Sequence, residues 1–185
     1  MIDPILLAER AQAIAAVRAE VRPLVLGDRP SREALEAVRS RLETLAARRD
    51  LFGPDAFAPS RPPARFPLGE EPDGRLSFSL VVLPPGIATA PHAHGTWAVI
   101  AAVAGEEVNR LYRQGPSGLL PIEEVVVRPG RGIVLLPEDI HATVVAGPGH
   151  ARLLKLYGVA LERAPRRAYD PLTGLPLSAA PAQAG

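Results

Sequence analysis

The chain has 185 residues, which is enough for one domain with a sizeable hydrophobic core and does not require two. Its 21 Lys and Arg residues nearly balance its 20 Asp and Glu residues, so no overall positive field exists to attract nucleic acid or an anionic membrane. The lack of cysteine excludes disulfides, thiolate metal sites and a cysteine nucleophile. The composition therefore favours a small-molecule partner and directs attention to the 4 histidines.

The N-terminal sequence is unlike a signal peptide, because it lacks a basic start and because Glu9, Arg10 and Arg18 interrupt its apolar residues. No window reaches the roughly 18 consecutive apolar residues that a membrane-spanning helix requires. We therefore expect a soluble, cytoplasmic protein with no membrane partner.

Two helices are predicted near the N-terminus. Asp3 followed by Pro4 is a typical N-cap and first-turn pair, and the apolar residues after it predict a helix over residues 4–20. Ser31 is a second N-cap candidate, and the apolar stripe that follows it predicts a helix over residues 31–48.

Short, strongly apolar runs dominate the chain from residue 75 onward. Prolines crowd the preceding residues 52–74 and remove backbone donors, which predicts an ordered loop or edge segment there. The β-like runs are LSFSLVVL, TWAVIAAV, EEVNRLYR, IEEVVVR, GIVLLP, ATVVAG and ARLLKLYGVAL. Runs of this length, separated by Pro and Gly turns, are typical of a β-sandwich or barrel.

These patterns predict one mainly β domain over residues 1–185 with two N-terminal α-helices. The helical segment is expected over residues 1–50 and the β-barrel core over residues 75–160. The Ala- and Pro-rich residues 178–185 are predicted to form a disordered tail.

Three histidines have the spacing of a metal site. On a strand, His92 and His94 point to the same face, and a paired strand can supply His141 as the third ligand. A His-x-His pair alone also occurs on solvated strand faces, but here all three histidines lie in turn-flanked apolar segments. Neutral imidazoles suit iron, zinc, copper or nickel, and three of them leave coordination positions free for a substrate. We therefore predict a catalytic metal site.

The two histidine segments resemble the two sequence motifs of the cupin superfamily. Gly86, His92 and His94 are in register with the first motif, whereas Ala98 or Val99 occupies the position of its usual glutamate. Among cupins, an all-histidine iron site of this layout resembles the cysteine dioxygenase and 3-mercaptopropionate dioxygenase group, to which the stretch PPGIATAPHAHGTWAVIAAVAGEEVNRLYR is similar throughout. The resemblance implies a cupin fold, a double-stranded β-helix or jelly-roll barrel, and an Fe(II) cofactor.

The resemblance extends from Arg65 to Tyr157 and implies roles for both residues. Arg65 matches the arginine that holds the substrate carboxylate, a role that suits the guanidinium fork because it forms two parallel bonds. Tyr157 matches the tyrosine whose hydroxyl lies near the iron and the substrate. A surface arginine and a tyrosine packed in the barrel are the structural alternatives.

The chain departs from the family at the Ser-x-His-x-Tyr relay, which here is Leu153-x-Lys155-x-Tyr157. Lys155 either points into the site, where it would lower the pKa of the tyrosine or bind a second carboxylate, or lies at the barrel mouth in water. Arg166 is a further candidate for binding substrate at the mouth, with a solvated surface pair with Arg167 as the alternative.

The resemblance therefore implies a non-haem Fe(II) thiol dioxygenase that oxidises a small carboxylate-bearing thiol to its sulfinic acid with O2. Its partners would be the thiol and O2, with no nucleic acid and no membrane, and the protein would be a monomer or small homo-oligomer. Another metal-dependent cupin enzyme, such as an isomerase or a carbon–carbon cleaving dioxygenase, stays open, as does a non-catalytic ligand-binding cupin.

Overall fold

The computed structural model describes residues 3–27 and 29–177, so the predicted tail over residues 178–185 lies outside the described residues. Helix α1 spans Pro4–Val21 and helix α2 spans Arg32–Ala46, with a short 3-10 turn between them, so both predicted helices are confirmed. The side chain of Asp3 caps α1, as the sequence predicts. Neither helix has the length and apolarity needed to cross a membrane, and the described part of the chain contains no other candidate.

Strands occupy most of the chain after the helices, and all the predicted β-runs form strands. Their bounds are β1 Ala64–Gly69, β2 Arg75–Leu83, β3 His92–Ala93, β4 Ala98–Ala104, β5 Glu106–Gly115, β6 Gly118–Val127, β7 Ile133–Leu135, β8 Ile140–Ala146, β9 Ala151–Val159 and β10 Arg167–Ala168. The proline-rich stretch predicted as a loop or edge segment contains β1, which is an edge strand of its sheet.

The strands form two five-stranded antiparallel sheets. Sheet A has the order β1-β2-β9-β4-β7, and sheet B has the order β10-β3-β8-β5-β6. Successive strands mostly alternate between the two sheets, which is the connectivity of a jelly roll, the architecture that cupins have. The predicted fold class, a mainly β jelly roll with two N-terminal helices, is confirmed.

Sheet A is covered on both faces, so the molecule has three layers. On β9, Leu154 and Leu156 pack in the cluster that includes the two helices, whereas Leu153 and Tyr157 belong to the cluster between the two sheets. Burial on both faces explains why β4 is a continuous apolar run instead of an alternating one. The candidate site lies on the inner face, between the sheets.

Candidate metal centre

The structure brings the three predicted metal ligands together. His92 on β3 pairs directly with His141 on β8, and His94 follows the end of β3. The possible ligand atoms of the three rings all lie within 4.8 Å of one another. The Nε2 atoms of His94 and His141 are 3.1 Å apart. The fourth histidine, His150, is half-buried and is not part of this cluster.

Two turns hold the ligand segments against each other. The Gly95 amide, directly after His94, donates a hydrogen bond to the carbonyl of Pro137 over 3.0 Å. The carboxylate of Asp139 accepts from the Leu136 amide over 2.8 Å and thereby closes the turn that leads into β8. The glycine that follows His94 and the Pro-x-Asp turn that precedes His141 therefore contribute to the same site.

Two of the imidazoles are oriented by acceptors at Nδ1. His92 Nδ1 lies 2.9 Å from the carbonyl oxygen of Ala90, and His141 Nδ1 lies 3.0 Å from Oδ1 of Asn109. An acceptor at Nδ1 favours the tautomer in which that nitrogen carries the proton and Nε2 keeps a free lone pair. His92 and His141 are therefore prepared to ligate through Nε2.

Burial keeps these imidazoles neutral. It lowers the pKa of His92 to about 4, although the Ala90 carbonyl opposes the shift. Burial and the neighbouring rings lower the pKa of His94 and that of His141 well below the usual value. Neutral imidazole is the form that binds metal, and three such nitrogens suit iron, zinc, copper or nickel. The donor set therefore fits a divalent transition metal.

All the predicted site residues line one cavity of about 370 Å³ between the sheets. Besides the three histidines, its walls include Arg65, Lys155, Tyr157 and Arg166. A larger cavity, of about 550 Å³, lies beside the 3-10 turn and contains none of the three histidines. We therefore take the smaller cavity as the candidate site.

Arg65 reaches the cavity wall from β1 with its side chain 22% exposed, so it is not simply a surface residue. Its Nη1 lies 2.6 Å from Oε1 of Glu162, and its Nη2 donates to Oγ of Ser77 over 3.4 Å. The Glu162 side chain is 66% exposed. Because that carboxylate can turn out into solvent, an incoming substrate carboxylate can compete for the guanidinium.

Tyr157 is buried beside the metal ligands. Its ring lies 5.3 Å from the ring of His94 in an edge-to-face contact. Burial raises the pKa of Tyr157. The charge of Lys155 acts to lower this pKa, as predicted, but its effect is smaller than that of burial, so the net shift is upward. The hydroxyl therefore stays protonated at neutral pH and can act as a hydrogen-bond donor.

Lys155 points into the cavity wall, so the interpretation that places its ammonium in water at the barrel mouth is wrong. Its Nζ lies 3.2 Å from Oε2 of Glu107, and the two side chains are 13% and 0% exposed. Burial acts to lower the pKa of Lys155, but the charge and hydrogen bond of Glu107 help to give a net rise. The ammonium is therefore already paired, which leaves Arg166 as the cavity cation with no side-chain partner within residues 3–27 and 29–177.

Glu107 and Asn109 were not predicted from the sequence. Both lie on β5 with 0% exposure, two residues apart on the strand face that meets His141. The only available signal was the pair of polar residues at period-two spacing in the run EEVNRLYR. The same run also fits a strand in the opposite orientation, with the side chain of Val108 facing the core and those of Glu107 and Asn109 facing solvent.

No protein-family model matches the chain, and no curated protein matches it. Among solved structures, peruvianin-I, a cysteine peptidase from Thevetia peruviana latex, is 20% identical, with a TM-score of 0.45 over 60% of this chain and 66% of that chain. A cupin superfamily protein from Desulfitobacterium hafniense is 16% identical, with a TM-score of 0.45 over 61% of this chain and 88% of the other.

Oxalate oxidase in complex with glycolate is 20% identical, with a TM-score of 0.44 over 55% of this chain and 53% of that chain. The chain thus spans about half the length of that oxidase. Likenesses at this level carry no argument about activity. The functional interpretation therefore depends on the cavity and its residues.

Proposed function

We propose that the protein is a thiol dioxygenase that holds Fe(II) with His92, His94 and His141. Its substrate would be a small thiol bearing a carboxylate, which it would convert with O2 to the sulfinic acid. The observation that carries this proposal is the meeting of three neutral imidazoles with Arg65 and Tyr157 in one buried cavity. The proposal also relies on the resemblance of the histidine segments to the thiol dioxygenase group.

The charge of the site suits a thiolate. Ferrous iron, when bound, would supply a Lewis acid that binds the sulfur and activates O2. Three neutral imidazoles would not offset the charge of a bound dication, so the loaded cavity would attract an anionic sulfur. Arg166 adds positive potential, since it acts on the histidines as a neighbouring cation, whereas the charge of Lys155 is offset by its ion pair with Glu107.

Two arginines are available for the substrate's carboxylate. Arg65 lies on β1 at one edge of sheet A, and Arg166 directly precedes β10 at one edge of sheet B. Arg65 is assigned the carboxylate because its Nη2 lies 3.4 Å from Oγ of Ser77, the residue that pairs with Tyr157 across β2 and β9. Anchoring the acid in this way fixes the distance of the sulfur from the histidine nitrogens.

The reaction is balanced without a further reductant. A thiolate and one O2 molecule give a sulfinate, so the sulfur loses four electrons and the two oxygen atoms gain them. No net proton is released. We assign Tyr157, whose ring contacts that of His94, the role of donating a hydrogen bond from Oη to one of the oxygens that become part of the sulfinate. This bond would stabilise the negative charge that the oxygens acquire.

Oxygen consumption tests the proposal directly. The protein is loaded anaerobically with Fe(II) and mixed with a panel of small thiol acids, and the sulfinic acid is identified by mass spectrometry. We expect one thiol to support uptake that His141→Ala abolishes. Stoichiometric iron without uptake for any thiol would contradict the proposal.

A second candidate is a metal-dependent isomerase or lyase acting on an oxygen-ligating substrate. The observation that favours it is the Glu107 carboxylate, which lines the same cavity and could exchange a proton with a substrate carbon. Hydrogen–deuterium exchange into hydroxy and keto acids, measured by NMR in the absence of O2, would support this candidate over the first.

A further inference from the structure

A buried chain of polar side chains runs from Lys155 to the metal ligand His141. Lys155 Nζ contacts Glu107 Oε2 over 3.2 Å, and Glu107 Oε1 accepts from Asn109 Nδ2 over 3.3 Å. Asn109 Oδ1 then lies 3.0 Å from His141 Nδ1. Glu107, Asn109 and His141 are at most 1% exposed, so water does not compete for these hydrogen bonds.

The amide of Asn109 has one favourable orientation in this row of hydrogen-bonded side chains. Its Nδ2 faces two acceptors, the Oε1 atom and the backbone carbonyl oxygen of Glu107, each at 3.3 Å. Rotating the amide by half a turn would place its oxygen against both of these oxygens. Two unfavourable contacts in a buried environment would result, so the amide oxygen is held toward His141.

The orientation of the amide decides which nitrogen of His141 carries the proton. With an oxygen acceptor at Nδ1, that nitrogen is protonated and Nε2 has a free lone pair. A reversed amide would present a donor to Nδ1 and would favour a proton on Nε2. Because Nε2 of His141 is the atom that faces Nε2 of His94, the reversed state would block the ligating position.

Lys155 completes the chain through its charge. A carboxylate accepts hydrogen bonds at both oxygens, whereas a neutral carboxylic acid could donate one and tolerate a reversed Asn109. Both oxygens of Glu107 face donors, Oε1 the amide nitrogen of Asn109 and Oε2 the ammonium of Lys155, so both act as acceptors. Lys155 therefore holds Glu107 as an acceptor, Glu107 orients the amide of Asn109, and Asn109 sets the tautomer of His141.

We propose that Asn109, Glu107 and Lys155 are positioning residues that set the tautomer of His141 and prepare its Nε2 for metal binding. This inference rests on metal binding by the three histidines, as does the proposed function, but not on the identity of the thiol. Outer hydrogen bonds of this kind affect metal affinity by about 10-fold to 100-fold.

The test compares metal binding and ring protonation in matched variants. Asn109→Leu removes the acceptor, and we expect Co(II) affinity to fall about 10-fold to 100-fold. The double variant Asn109→Asp/Glu107→Gln keeps one carboxylate in the chain and restores an acceptor to His141, so it should recover most of the affinity. Arg110→Gln is the control, because Arg110 is an exposed neighbour on the same strand.

Ring-nitrogen NMR of the metal-free protein supplies a readout that does not depend on activity. We expect His141 to carry its proton on Nδ1 in the unmodified protein and in the double variant. A proton on Nε2 in the unmodified protein would overturn the inference without any variant, even if Asn109→Leu fails to fold. Equal Co(II) affinity in a folded Asn109→Leu protein would also overturn it. If the unmodified protein binds neither Co(II) nor Fe(II), the metal site and the proposed function fail together.

Discussion

The ammonium of Lys155 lies 3.2 Å from the carboxylate of Glu107, whose side chain is 0% exposed. Removing one partner of a buried pair leaves an uncompensated charge, so we expect Lys155→Met to reduce the free energy of unfolding by about 3–5 kcal/mol. Replacing both residues by apolar ones, as in Lys155→Met/Glu107→Leu, should restore much of this loss. Urea denaturation of the unmodified protein and of the two variants measures these free energies of unfolding.

The exposed pair of Arg110 and Glu124 provides the control for this prediction. Its side chains are 57% and 49% exposed, so Arg110→Met should change the free energy of unfolding by less than about 1 kcal/mol. A Lys155→Met protein as stable as the Arg110→Met protein would mean that the buried pair contributes little.

The same pair predicts how stability depends on pH. The folded-state pKa of Lys155 is raised above its ordinary value of 10.5. A group with a raised pKa contributes stability that is fully present below the unfolded pKa and is lost as pH rises through the folded pKa. We therefore expect the stability difference between the unmodified protein and Lys155→Met/Glu107→Leu to be constant from pH 7 to about pH 9.5 and to change only above about pH 10.5. A change centred near neutral pH would contradict this assignment.

The histidines of the cluster and the histidine outside it should respond differently to substitution. We expect His94→Ala to weaken Co(II) binding by more than about 100-fold, since loss of an outer hydrogen bond alone costs about 10-fold to 100-fold. His150→Ala removes a half-buried histidine outside the cluster and should leave affinity unchanged. Isothermal titration of the metal-free proteins measures both, and equal losses would argue against ligation by the cluster.

The architecture and the ligands were predictable because their signals are local. Strands β2 and β4 of sheet A are buried on both faces and come from mainly apolar runs, and His92 and His94 are two residues apart. The positions of Glu107 and Lys155 follow from contacts between residues 48 positions apart in the sequence. Local periodicity cannot identify such contacts.

Two further features depend on pairing more than on local sequence. Strand β10 has only two residues, and its short pairing with β3 brings the preceding Arg166 beside the metal ligands. The pKa of Tyr157 depends on the balance between its burial and the charge of Lys155. The sequence identified Tyr157 and Lys155 as site residues but could not show that burial affects the tyrosine pKa more than the lysine charge does.

Arg65 should affect substrate binding without affecting the metal. If its fork holds the substrate carboxylate, Arg65→Ala should raise KM for the thiol acid by about 10-fold to 100-fold, the loss expected for a charge-assisted hydrogen bond of about 1.5–3 kcal/mol. Iron content should not change. Glu162→Gln tests the competing ion pair, because it weakens the partner of Arg65 and leaves the guanidinium in place. We expect that variant to lower KM or leave it unchanged, and equal loss of iron and of substrate binding in Arg65→Ala would indicate a structural role.

Gly95 should resist substitution for two separable reasons. Its φ of +68° is unfavourable for other residues, and a Cβ at this position would lie 2.6 Å from the carbonyl oxygen of Pro165. The first effect costs about 1–2 kcal/mol, and the second would displace the backbone that leads to Arg166. Gly147 has a similar φ of +78° with no atom within 4 Å of its Cβ position, so Gly147→Ala carries the backbone cost alone.

We therefore expect Gly95→Ala to be less stable than Gly147→Ala in urea denaturation and to bind Co(II) more weakly, because Gly95 directly follows His94. The difference in unfolding free energy between the two variants isolates the steric contact with Pro165. If the variants are equally stable and bind Co(II) equally well, the close approach of the two segments does not hold the metal ligands in place.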